Sequence, residues 1–119
     1  PEYGLIGSLT FYGPPKKGFW SDAFEIGERY AREIFELCDK QFPEDYPPMI
    51  NSWTDLAGWW ALDEQTELSK GDCRTIIRVL SKLKENDFEN SKGYICSQEI
   101  VSFVTQRLKL KQSIYIEVS

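Results

Sequence analysis

Apolar and polar positions change their period several times along the chain, and each change marks a predicted element. Tyr3 to Tyr12, YGLIGSLTFY, is dense in β-branched and aromatic residues and reads as an opening strand. GPPKKG, Gly13 to Gly18, interrupts it with two prolines between glycines, the composition of a surface loop. From Ser21, a predicted N-cap, to about Gln41 the period becomes helical. Ala23, Ile26, Tyr30, Ile34, Leu37 and Cys38 form one apolar stripe, with Asp22 and Glu25 in the first turn. Glu25 and Arg29, Glu28 and Arg32, and Glu36 and Lys40 are spaced as i,i+4 pairs on the opposite, solvated face.

FPEDYPP, Phe42 to Pro48, ends this helix, because each proline disfavours helical backbone in the residue before it. In the stretch that follows, Thr54 or Asp55 can cap a short helix running to Leu62, although Gly58 and the adjacent tryptophans also suit a strand. GDCRTIIRVLSKLKEN is predicted as a helix capped by Asp72, with Ile76, Ile77, Leu80 and Leu83 facing the core. Phe88 to Gly93 reads as a turn. Ser97 is predicted to open a last helix carrying Ile100, Val101, Val104 and Leu108 and ending in the cations of KLK. In QSIYIEVS, Ile114, Ile116 and Val118 alternate with Tyr115 and Glu117, the period of a half-buried strand. The fold class expected is α+β: one domain spanning 1–119, with the N- and C-terminal strands sharing a small sheet packed against three to four helices.

Composition narrows the setting. With 41% hydrophobic and 28% charged residues the chain has the make-up of a soluble globular domain, and 119 residues can bury a single core. The longest apolar run, Leu56 to Leu62, is far below the roughly 20 residues of a membrane helix. PEYGLIGS lacks the basic head and apolar stretch of a secretory signal. Cys38, Cys73 and Cys96 are odd in number and widely spaced, which suits buried thiols in a reducing cytoplasm better than a disulfide framework.

Charge is the informative asymmetry. Residues 20–69 carry twelve acids and three bases, whereas residues 70–119 carry six acids and nine bases. Gln41 to Ser69 holds six acids and no Lys or Arg. Such a segment repels nucleic acid and attracts basic protein surfaces.

Chemistry is mostly removed by elimination. The chain has no histidine, which takes away the commonest general base and the most versatile zinc ligand. Neither a phosphate-cradling G-x-x-x-x-G-K-[ST] loop nor a G-x-G-x-x-G fingerprint is present. Asp63, Glu64 and Glu67 offer oxygen ligands for magnesium, with Asp63 and Glu67 on one face if their segment is helical. Arg74, Arg78 and Lys82 line one helix face, with Lys84 and Lys92 nearby, but lack the interleaved aromatics of a single-strand binder. No enzymatic activity, no cofactor, no direct nucleic-acid contact and no membrane contact are expected.

The acidic segment also holds three of the four tryptophans, Trp53, Trp59 and Trp60. Adjacent indoles lie about 100° apart on a helix and on opposite faces of a strand, so both cannot point into one core. Core packing and a partner face both remain open for them. Exposed Trp and Tyr among carboxylates would make an anchor set for a protein partner.

Trp53-Thr-Asp-Leu56-Ala-Gly58-Trp59 resembles the Trp-x-x-Leu-x-Gly-Trp segment of the barstar family of ribonuclease inhibitors, and the closing QSIYIEVS is similar to that family's last strand. Phe11-Tyr12-Gly13-Pro14 resembles the Tyr-Trp-Gly-Pro after the first strand in an immunity family paired with nuclease-type toxins. Each resemblance covers under a tenth of the chain. The chain departs from the barstar pattern in its length and in FPEDYPP, which stands where that family has Tyr-Gly-Glu-Asn. The resemblance implies a cytoplasmic immunity protein that occludes a basic, nuclease-type toxin domain, with Asp55 as the nearest counterpart of an inhibitory acid, shifted by one residue. The expected partner-binding residues are Glu44, Asp45, Tyr46, Trp53, Asp55, Trp59, Trp60, Asp63 and Glu64. The competing expectations are a carboxylate enzyme using a divalent metal and a non-catalytic interaction module.

Overall fold

The computed structural model describes residues 8–13, 15–16, 19–20, 23–42 and 66–118. The described elements run, in chain order, β1 (Ser8–Tyr12), β2 (Pro15–Lys16), β3 (Phe19–Trp20), β4 (Ala23–Gly27), α1 (Glu28–Gln41), β5 (Thr66–Leu68), α2 (Lys70–Leu80), a 3₁₀ turn (Glu85–Asp87), α3 (Ser91–Lys109) and β6 (Ile114–Val118). Four strands form one antiparallel sheet in the order β4-β1-β6-β5, and β2 pairs with β3 apart from it. The first and last described strands are neighbours at its centre, with Leu9 opposite Val118 and Tyr12 opposite Tyr115. The α+β class and the shared sheet of the terminal strands are as the sequence predicts.

Alternation along the strands builds the core. Leu9 and Phe11 of β1, Ile26 of β4, Leu68 of β5 and Ile114 and Ile116 of β6 all pack into it. Opposite them come Ala31, Ile34, Phe35 and Cys38 of α1, Cys73, Ile76, Val79 and Leu80 of α2, and Cys96, Ile100 and Val104 of α3. The helices therefore cover one face of the sheet, and each fully buried Leu, Ile or Phe contributes on the order of 1.5–3 kcal/mol. Phe11, Phe24 and Phe103 meet ring against ring where α3 crosses β1 and β4, with centroids 6.2–6.5 Å apart.

Several local expectations are corrected. Ala23 to Gly27 is a strand paired with β1, not the first turn of the helix, and Ala23 is exposed. Its burial alternates because Phe24 and Ile26 turn inward while Ala23, Glu25 and Gly27 turn out. Glu25 consequently accepts a hydrogen bond from Ser8 Oγ at 2.7 Å across the sheet and has no helical turn linking it to Arg29. The predicted cap Ser21 lies outside the described residues. The buried stripe of α1 starts at Ala31, while Tyr30 and Leu37 are half-buried at its flanks.

The caps of the later helices also move. Ser69 caps α2, its Oγ accepting from the Asp72 amide at 3.0 Å, and Asp72 sits in the first turn. Both are capping residue types, and the one at the actual boundary wins. The helix ends at Leu80, after which Leu83 still reaches the core. Asn90 caps α3 through a 2.8 Å bond from the Lys92 amide. Ser97 is therefore inside the helix, fully buried, with its hydroxyl donating to the Tyr94 carbonyl at 2.7 Å. At the other end Lys111 takes a left-handed φ of 58°. The Gln112 amide then reaches the Arg107 carbonyl and the Lys111 amide reaches that of Leu108, each at 3.0 Å. This bond pair is the Schellman motif, which satisfies carbonyls the helix leaves open.

Candidate functional site

The nine residues expected to meet a partner, Glu44, Asp45, Tyr46, Trp53, Asp55, Trp59, Trp60, Asp63 and Glu64, lie outside the described residues. Their segment is flanked by described structure on both sides. At the near side Phe42 closes α1, its amide bonded to the Cys38 carbonyl at 2.8 Å, and Lys82 Nζ lies 5.4 Å from its ring centre. At the far side the chain enters the sheet through β5, which Leu68 anchors in the core at 5% exposure.

β5 brings the acidic segment to an aromatic neighbour. Glu67 is exposed on the sheet face away from the helices and stands opposite Tyr115 in register. Tyr115 in turn stacks on Tyr12 with centroids 5.8 Å apart and planes 30° apart, and Tyr12 stands opposite Ala23. The next row runs from Glu25 through Thr10 to the register position of Glu117. Along β1, β4, β5 and β6 the positions of this parity are Ser, Thr, Tyr, Ala, Glu and Gly, with no Lys or Arg. Tyr12 is buried, Tyr115 and Thr10 are half-buried, and Glu25 and Glu67 are exposed. Since Glu67 belongs to a strand, the helical spacing that would set it beside Asp63 does not apply to it.

The helical side carries different chemistry. Arg74, Arg78 and Lys82 are all exposed, as expected for a solvated face. Between α1 and the start of α3 a cleft of about 420 Å³ is lined by Arg29, Arg32, Glu33, Glu36 and Glu89, among others. Glu33 is committed within it, because Oε2 accepts the Glu89 amide at 2.8 Å. Among the described residues, no three side chains of the His, Cys, Asp or Glu types come together to hold a metal ion.

All three thiols are free and buried. Burial pushes the Cys38 thiol up to about 12. Cys73 rises to about 11, mainly by burial, with Asp72 adding to the rise and Arg74 opposing it. Burial also raises Cys96. A thiol held in its protonated form is a poor nucleophile and a poor metal ligand, so these side chains serve packing.

Arg107 is a residue that sequence reasoning passed over. It is 5% exposed, donates from Nη1 to the Gln112 side-chain oxygen, and holds its guanidinium 5.1 Å from the Phe103 ring centre. A Cβ at Gly13 would come within 3.2 Å of Nη1, so the end of β1 passes directly beneath this cation. The available signal was spacing, because Arg107 continues the buried stripe of Ile100 and Val104 at helical intervals.

No helix among the described residues is long and apolar enough to cross a membrane. Comparison with family models, curated proteins and solved structures finds no match to this chain.

Proposed function

We propose that this chain is an immunity protein that binds a basic toxin domain, of nuclease type, and blocks its active site. The observation that carries the proposal is the distribution of charge. Gln41 to Ser69 bears six carboxylates and no Lys or Arg, together with three tryptophans. A toxin that cleaves nucleic acid presents cations to phosphate, and a carboxylate-rich surface offers those cations a competing anion. In this reading Glu44, Asp45, Asp55, Asp63 and Glu64 take the places of phosphates, while Trp59 or Trp60 supplies the buried anchor, with Trp53 and Tyr46 beside them. The exposed position of Glu67 on β5 supports it by presenting the end of the acidic run on the surface. Three free, buried thiols support the cytoplasm as the place where the encounter occurs.

The test is protection. The genes adjacent to this chain's are cloned, and a basic domain encoded by one of them is expressed in a sensitive host with and without the chain. Survival should require the chain and should fail when Asp55, Asp63 and Glu64 are replaced together by amides. Survival that ignores those replacements, or toxicity unaffected by the intact chain, overturns the proposal.

A further inference from the structure

We propose that the outward face of α3 is a self-association surface, on which a second copy of this chain docks antiparallel about a two-fold axis. The inner side of α3 is taken up by the core, through Cys96, Ile100 and Val104. Its outer side carries Ile95, Glu99, Ser102, Gln106 and Leu110, all exposed. At 3.6 residues per turn these five fall within an arc of about 80°, so they form one row along the helix. Among the described residues, Ile95 and Leu110 are the exposed large hydrophobic side chains, at 53% and 56%. They mark the two ends of the row.

The row reads alike in both directions: apolar, polar, small, polar, apolar. From a point midway between Ser102 and Phe103, Ile95 and Leu110 lie equally far along the helix, and so do Glu99 and Gln106. Two copies of α3 crossing antiparallel at that point set Ile95 of each against Leu110 of the other. Glu99 of each then stands opposite Gln106 of the other, a carboxylate facing a carboxamide that can donate to it. A two-fold contact requires this match of a surface to itself, and it favours a second copy over an unrelated partner. The surface also has room for a side chain. A groove of about 650 Å³ runs past Ser102, Gln106, Lys109 and Leu110, where Ile95 of the other copy would enter. The row is about 22 Å long and about 10 Å wide, a footprint far below the roughly 800 Å² per partner of a standard stable complex. The dimer is therefore a weak, exchanging one, with a dissociation constant on the order of 0.1–1 mM.

Sedimentation equilibrium of the full chain tests this, from about 10 μM to about 2 mM, in reductant. Salt at about 0.15 M screens the repulsion between two copies of net charge −5. The average mass should rise from one copy towards two across that range. Ile95→Lys and Leu110→Lys should each weaken association about tenfold or more, by putting a cation where an apolar contact forms. Gln106→Glu should weaken it at least about threefold, by setting two carboxylates face to face, and Gln106→Lys should strengthen it by a similar factor. Asp39→Asn, the same change of net charge as Gln106→Lys but at an exposed position on α1, should leave association unaltered. Circular dichroism checks the folding of each variant, and if Ile95→Lys unfolds, the two replacements of Gln106 decide the matter. A chain that stays monomeric at about 2 mM, or an association that ignores the charge at position 106, overturns the inference and leaves the outer face of α3 to solvent or to a different partner.

Discussion

One carboxylate oxygen of Glu33 fills the space that a side chain at Gly93 would need: a Cβ built there lies 2.7 Å from Oε1 and 3.1 Å from a ring carbon of Phe88. The other oxygen takes the Glu89 amide at 2.8 Å, beside the start of α3. An acid on one helix thus supports the positive end of another, and glycine is the residue that lets it in.

This pairing predicts strong non-additivity. Gly93→Ala should destabilise the fold by about 1–2 kcal/mol, since displacing Glu33 and Phe88 outweighs the roughly 1 kcal/mol that alanine gains in a helix. Glu33→Ala should cost about 1 kcal/mol on its own. In the Glu33→Ala background the glycine replacement should be much milder or even stabilising, a coupling of 0.5 kcal/mol or more by urea denaturation. Strictly additive effects would mean that Glu33 does not hold this position in solution.

The left-handed Lys111 predicts a stabilising replacement. A non-glycine residue at φ 58° carries a steric penalty on the order of 1 kcal/mol, which Lys111→Gly should recover in large part. Lys111→Val should be destabilising by a similar or larger amount, because its β-branch crowds this backbone. Thermal melts of the two variants should bracket the parent. A glycine variant that melts clearly below the parent would contradict the Schellman geometry.

The raised thiols give stability a pH dependence whose sign is fixed. Cys38 and Cys73 stay protonated in the folded state up to about 12 and about 11, whereas unfolding returns them toward the ordinary thiol value of 9.0. The unfolded chain therefore holds fewer protons between those limits. The stability these groups contribute is complete below pH 9 and declines as pH rises toward the folded values, by up to about 1.4 kcal/mol per pH unit for each thiol. Unfolding measured from pH 8 to 11 in reductant should steepen accordingly, and Cys38→Ala should flatten the slope. Native protein labelled by a thiol reagent at pH 8 as fast as a free cysteine would refute the buried placement.

Moving the α2 cap to Ser69 separates two residues that look alike in sequence. Ser69→Ala should cost about 1 kcal/mol, the usual effect of losing an N-cap hydroxyl. Asp72→Asn, which keeps the backbone bond to Ser69 and loses only charge near the dipole, should cost about 0.5 kcal/mol or less at physiological salt. The reverse ranking in chemical denaturation would restore Asp72 as the cap.

Long periodic segments were legible in the sequence, and short or ambiguous ones were not. The alternation of Ile114, Ile116 and Val118 identified β6, and the need of two lone strands for partners placed β1 beside it. Ala23 to Gly27 misled because Ile26 is buried under either period; Phe24, which the helical stripe leaves out, was the discriminating residue. Thr66–Leu68 is too short to show any period and exists because β6 offers it an edge. The juxtaposition of Glu67 and Tyr115 was hidden for a different reason. Register is a tertiary property, and no local pattern in either strand encodes its partner. The nine partner-binding candidates rest on charge and aromatic content alone, and they fall outside the described residues.

The strand order also governs when the protein can be born folded. β1 is the first described strand to be made, yet its central neighbour β6 is the last. At the usual 5–20 residues per second, roughly 5–20 s pass on the ribosome before Val118 can meet Leu9. Through that interval β1 has only the hairpin with β4 available, and the apolar side of Leu9 and Phe11 waits for half of its sheet. Pairing across so long a stretch of chain is entropically slow to nucleate even after release. Newly made copies thus expose the apolar side of Leu9 and Phe11 for their first seconds, and the centre of the sheet closes only once β6 has left the ribosome.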